Sequence, residues 1–146
     1  MGSAVKATGV VVSAALAGVG ALHAVWAVTP WPLRTPEEFA DTVVGTGDGV
    51  PPAAACLAVA GLLGSAAYLV GAEAGVLPPV GPRRLRRAGV RAVSGVMLAR
   101  GIGGLAVFGN LVERSERFRR LDTRYYSPFC LALAAGAAVV AGAGGE

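Results

Sequence analysis

The sequence predicts an all-α fold: a four-transmembrane-helix bundle with a short interfacial helix in the first outer loop. Three observations carry this. The chain has 146 residues, 54% of them hydrophobic and 15% charged, whereas soluble domains carry about 25% charge, and its mean hydropathy is +0.60. The apolar residues gather in blocks rather than in 3.6-residue stripes, the pattern of helices that are apolar all round and sit in lipid. Four blocks approach the roughly 20 residues a helix needs to cross a bilayer. No break in composition divides the chain, so 1–146 reads as one integral membrane domain.

The first span runs from about Thr8 to Val28, and no charge interrupts Val10 to Leu22. A signal peptide is the rival reading, with Lys6 as its basic region. The three further spans and a poor cleavage site at Val25-Trp26-Ala27 favour a retained helix. His23, the only histidine, and Trp26 lie three residues apart and share a helical face. Trp26 and Trp31 suit the aromatic belt at headgroup level. Next, Thr35-Pro36-Glu37-Glu38-Phe39 has the marks of a helix start: a capping threonine, proline at the first position and acids in the first turn. That short interfacial helix extends to about Val44, and Gly45–Gly49 turns the chain into the second span.

The second span covers about 51–70, with Pro51 and Pro52 suited to its first turn. The third covers about 92–112 and contains Arg100. The fourth covers about 127–143, with Ser127 as its expected N-cap and Pro128 as its first helical residue. Small residues recur every four positions, Gly9, Ser13, Ala17 and Ala21 on the first span and Gly95, Ala99 and Gly103 on the third. Such rows let helices approach closely in lipid.

Arginine and lysine in the loops set the orientation. The loop 71–91 holds Arg83, Arg84, Arg86, Arg87 and Arg91 against the single acid Glu73, which places it in the cytoplasm, and both termini with it. The loop 29–50 then lies outside. So does the loop 113–126, although its five arginines run against the rule. Its charges are interleaved with acids, and it shares a side with the acidic first loop, so the two loops are expected to pair by charge. The basic balance of the chain, +4, lies mostly in these two juxtamembrane segments, which argues against nucleic acid as a partner. The two cysteines lack CxxC spacing and there is no second histidine, so no metal site or cofactor is indicated. Signatures of soluble enzymes are absent; the glycines of 101–104 follow no strand and form no dinucleotide fingerprint.

Arg100 is the most informative residue. It lies near the middle of the membrane, where an arginine costs roughly 2.5–3.5 kcal/mol on insertion scales. It should therefore face the bundle interior and find a partner. A structural arginine and a binder of anions or headgroups are equally good readings. His23 reads either as an interhelical hydrogen bonder or as a proton donor and acceptor. The loop 113–126 reads either as an interfacial helix with ion pairs among Glu113, Glu116, Arg117 and Arg120, or as an anion-recognising lid. Asp122 would then orient a base or act as an acid. Tyr125 and Tyr126 suit the aromatic belt, and Asn110 is a further polar group at a span end.

The segments HAVWAVTPWP (23–32), LARGIGGLAVFGN (98–110) and FRRLDTRYYSPFCLALAAG (118–136) resemble a bacterial family of small four-span membrane proteins catalogued as a domain of unknown function. The matching positions are His23, Trp26, Trp31, Pro32, Arg100, Gly101, Leu121, Asp122, Tyr126, Ser127 and Pro128. The chain departs from the pattern at Val28-Thr29-Pro30, where a glycine-containing turn is expected. The resemblance implies four helices and carries no activity.

These observations favour a small multi-pass membrane protein with an outer-half polar cluster of His23, Arg100 and Asp122, acting as a lipid-interacting or accessory protein. One alternative is a membrane-embedded enzyme of cyclase or isomerase type, with His23 and Asp122 moving protons on an isoprenoid or polyprenyl lipid. Its head would be held by Arg100, Trp26, Asn110, Arg117, Arg120 and Tyr126. The other alternative is a transporter subunit or assembly partner, joined to a second copy or to another membrane protein through the small-residue rows.

Overall fold

The computed structural model describes residues 1–47, 49–106 and 111–143. Among these there is no strand. Helix α1 spans Ser3–Trp26 and begins earlier than hydropathy alone suggests, because Gly2 accepts the first backbone bond from Lys6 across the charged residue. Thr35 caps α2, Pro36–Phe39, by accepting from the Glu38 N–H at 3.1 Å. The helix widens into a π turn, Ala40–Val44, which Gly45 ends with φ of 78°.

Helix α3 spans Ala53–Glu73 with Pro52 as its extended N-cap, so both prolines stand just outside the helix and not in its first turn. Helix α4 spans Arg83–Ala106. It starts nine residues before the expected span, since arginine is a good helix former and the charged turn stays helical. Leu111 and Val112, expected at its far end, lie in a turn. Helix α5 spans Glu116–Leu121, a second π turn spans Asp122–Tyr126, and α6 spans Ser127–Ala143. These three run on without a break.

That continuity corrects one expectation. Ser127 is not an N-cap: its backbone is helical (φ −67°, ψ −47°), and its N–H donates to the Asp122 carbonyl. The true cap is Ser115, whose Oγ accepts from the Phe118 N–H at 3.1 Å.

Among the described residues, three helical stretches are long and apolar enough to cross a membrane: Ser3–Trp26, Ala53–Glu73 and Glu116–Ala143. Helix α4 has the length but carries six arginines. The four long helices close a ring: α1 packs on α3 and α6, and α4 packs on α6 and α3. Its centre holds Val12, Leu16, Ala67, Val70, Val90, Leu133, Ala137 and Val140.

The small-residue rows are used selectively. On α1 the seam against α3 runs Gly9, Ser13, Leu16, Gly20, and Ala17 and Ala21 turn outward. A strict four-residue step drifts about 40° per step round a 3.6-residue helix, whereas alternating steps of four and three stay on one face. Ser13 Oγ donates to the Ala67 carbonyl at 2.7 Å, and Ser94 Oγ donates to that of Ala134 at 2.8 Å. Such bonds contribute about 0.6 kcal/mol each in lipid. The Gly95, Ala99, Gly103 row of α4 stays outside the seams: Gly95 and Ala99 are exposed, and a Cβ on Gly95 or Gly103 would meet nothing.

Candidate functional site

Arg100, Asp122 and Ser127 form one polar cluster where α4 meets the start of α6. Arg100 Nη2 donates to Asp122 Oδ1 at 2.6 Å. Ser127 Oγ donates to Asp122 Oδ2 at 2.8 Å, and Arg100 Nη1 lies 3.5 Å from Ser127 Oγ. The Asp122 side chain is 1% exposed and that of Arg100 34%. Each carboxylate oxygen therefore has a donor, as a buried charge requires.

Backbone geometry makes the cluster possible. Five residues separate Asp122 from Ser127, a spacing that puts side chains on different faces of an α-helix. The π turn closes an i→i+5 bond between them and brings the two side chains together. On α4, glycine lets the pair approach. A Cβ at Gly104 would overlap Ser127 Oγ and lie 2.5 Å from Asp122 Oδ2 and 2.6 Å from Arg100 Nη1. A Cβ at Gly101, one turn earlier, would lie 2.6 Å from the Leu131 side chain and 3.1 Å from the Ser127 carbonyl.

Over Asp122 opens a cleft of about 450 Å³ lined by Gly104, Glu116, Arg119, Arg120, Asp122, Thr123 and Arg124. Three arginines thus line a cleft together with a carboxylate that Arg100 neutralises.

The segments 41–45 and 114–126 are tied to each other. Ser115 Oγ donates to the Asp41 carbonyl at 2.7 Å, and its N–H donates to that of Gly45 at 2.8 Å. Tyr126 Oη donates to the Thr42 carbonyl at 3.2 Å. Phe118, buried, lies against Gly45. The expected pairing by charge is a minor part of this: Arg117 reaches Glu38 only at 3.9 Å. The ion pairs expected within 113–120 do not form among the described residues: the helix starts at Glu116 and leaves Glu113 outside it, and Glu116 and Arg120, one turn apart within it, form no pair.

The remaining candidates sit apart from the cleft. His23 Nδ1 donates to the Val19 carbonyl at 2.9 Å, and its ring lies 4.8 Å from that of Trp26. Trp26 meets Phe39 edge-on at 5.0 Å and donates from Nε1 to the Trp31 carbonyl at 2.9 Å. Trp26, backed by His23, thus anchors the loop between α1 and α3 to the end of α1, and neither residue lines the cleft. Asn110 lies outside the described residues. Sequence reasoning missed Arg124 and Thr123, and it missed Ser127 as a partner of Asp122. The glycine run of 101–104 signals the close approach of a neighbouring helix, and the structure uses it at Gly101 and Gly104 but not at Gly103.

Helices of this length and composition are those of a small all-α membrane protein. The family model described as "Protein of unknown function (DUF3995)" matches residues 16–137, and the chain belongs to that family. Searches of curated proteins and of solved structures return no match.

Proposed function

We propose that this is a four-span integral membrane protein, with both termini in the cytoplasm, that holds the anionic head of a membrane lipid in the cleft over Asp122. The observation that carries the reading is the convergence of Arg119, Arg120 and Arg124 on that cleft. Arg100 is occupied by Asp122, so its role there is to neutralise the floor, and headgroup contact falls to the rim arginines. Guanidinium groups match phosphate oxygens in pairs. Helix α4 supplies the fourth span, with Arg100 turned to a carboxylate inside the bundle. An isoprenoid or polyprenyl phosphate fits this chemistry: a charged head at the rim and an apolar chain along the helices. His23 does not line the cleft, so the reading stops at binding and includes no proton transfer.

The test is native mass spectrometry of the detergent-purified protein with a polyprenyl phosphate and with the matching polyprenol. The wild type should retain the phosphate at least tenfold better. An Arg119→Gln/Arg120→Gln variant should lose most of that preference, at about 1 kcal/mol per arginine near a membrane surface. Equal retention of phosphate and alcohol by the wild type would sink the proposal.

A second reading has its own observation. The Gly95, Ala99, Gly103 row on α4, exposed at its first two positions and open at the third, suits close approach of a helix from a second copy or another membrane protein. Ala99→Leu should then shift the detergent-solubilised protein to a smaller species by light scattering. An unchanged mass would remove this reading.

A further inference from the structure

The opposite end of the bundle carries a second basic site with a different construction. Glu73, at the end of α3, is 4% exposed. It accepts from Arg86 Nε at 2.8 Å, and Arg87 Nε stands 3.9 Å from its other oxygen. One carboxylate therefore faces a segment with five arginines. Four of these, Arg83, Arg84, Arg87 and Arg91, line a single cleft of about 370 Å³. Arg83, Arg87 and Arg91 fall at i, i+4 and i+8, one face of α4, and Arg84 closes the side.

Like charges on one face repel, and a helix start with no acid in its first turn gains nothing from them. The Arg87 Nε and Nη2 atoms are buried and have no hydrogen-bond partner among the described residues. Buried donors left unmatched are costly. An anion in the cleft would match them and relieve the repulsion together.

We infer that the Arg83, Arg84, Arg87, Arg91 cleft is a binding site for a phosphate-bearing anion. Membrane headgroups and soluble phosphates share this chemistry. The helical spacing matters: four arginines line one cleft, whereas the positive-inside rule asks only for charge in the loop. The site is independent of the outer cleft, which no residue of 83–91 lines.

The experiment places the full-length protein in nanodiscs of neutral phosphatidylcholine with a minor fraction of phosphatidylglycerol, and measures enrichment of the anionic lipid by native mass spectrometry. Inorganic phosphate is titrated separately against thermal stability. The variants are Arg84→Gln/Arg91→Gln, both exposed and so tolerant of change, the charge-keeping Arg87→Lys, and Lys6→Gln as a charge control.

At roughly a thirtyfold gain per pair of arginines near a surface, the double variant should lose enrichment tenfold or more, and Arg87→Lys a smaller part. Lys6→Gln should keep it. If phosphate raises the melting temperature of the wild type but not of the double variant, while lipid enrichment is absent, the anion is soluble. The inference is overturned if neither probe distinguishes the double variant from the wild type. It is equally overturned if Lys6→Gln loses as much as the double variant, since bulk charge then accounts for binding.

Discussion

Gly104 lies where a methyl group would overlap Ser127 Oγ, whereas Gly103, one position earlier, faces open space. The two therefore respond oppositely to the same change. Gly104→Ala should destabilise by about 1–3 kcal/mol, the usual cost of overpacking. Gly103→Ala should be neutral, or stabilise by up to about 1 kcal/mol as a helical glycine is replaced. Unfolding in mixed detergent micelles measures both, and equal effects would mean that the α4–α6 contact is looser than described. The carboxylate gives a second residue-level expectation. Asp122→Ala strands Arg100, and breaking a buried pair costs about 3–5 kcal/mol. Because Arg100 is 34% exposed, screening places the outcome at or below the lower end of that range. Asp122→Asn keeps an acceptor for Arg100 and should lose less. Arg100 was legible in the sequence because a charge in lipid demands a partner. Its link to Ser127 was not, because five residues of α-helix would have pointed Ser127 elsewhere.

Two elements illustrate what local sequence rules capture. Thr35-Pro36-Glu37-Glu38 starts a helix as written, because capping is settled within four residues: the threonine accepts, and the proline needs no N–H. Ser127-Pro128 presents similar letters and does neither. Inside a helix a proline ring crowds the carbonyl four residues back and removes a donor. The π turn Asp122–Tyr126 widens the backbone immediately before Pro128, and the helix passes through. The choice between a start and a passage depends on Asp122 being drawn inward by Arg100, a tertiary contact beyond any short window of sequence. The same element carries a test. Ser115 caps α5 and also donates to the Asp41 carbonyl. Ser115→Ala should therefore cost the cap, about 1 kcal/mol, and a hydrogen bond of similar worth. Both losses should appear as faster amide exchange at Phe118 and in 41–45, with the core of α1 and α3 unchanged. Exchange that stays slow in 41–45 would show that the two outer loops are held by other contacts.

At the scale of the molecule, the charge rule and the contacts bear on one question, the side of each loop. Counting arginines makes 71–91 and 113–126 rival candidates for the cytoplasm. The contacts break the tie. The segments 41–45 and 114–126 share four hydrogen bonds, so they lie on one side. Glu73 holds Arg86 at the other end of α3. Both segments therefore lie at the end of the bundle opposite 71–91, and in a membrane that arrangement would put the two basic loops on opposite sides. Lys6 near the start of α1 and the five arginines of 83–91 favour 71–91 as the cytoplasmic side. In 113–126, Arg114 is tied to the Val44 carbonyl and the rim arginines of the outer cleft stand beside Glu116 and Asp122. Its positive charge is partly spent within the protein. Single cysteines in a Cys56→Ala/Cys130→Ala background test this directly. Thr46→Cys and Leu111→Cys should both react with a membrane-impermeant maleimide in intact cells. Val80→Cys, 60% exposed, should react only after permeabilisation. The reverse pattern would turn the whole bundle over and put the outer cleft in the cytoplasm. Labelling of Thr46→Cys without Leu111→Cys would break the pairing of the two loops, and the four-span arrangement with it.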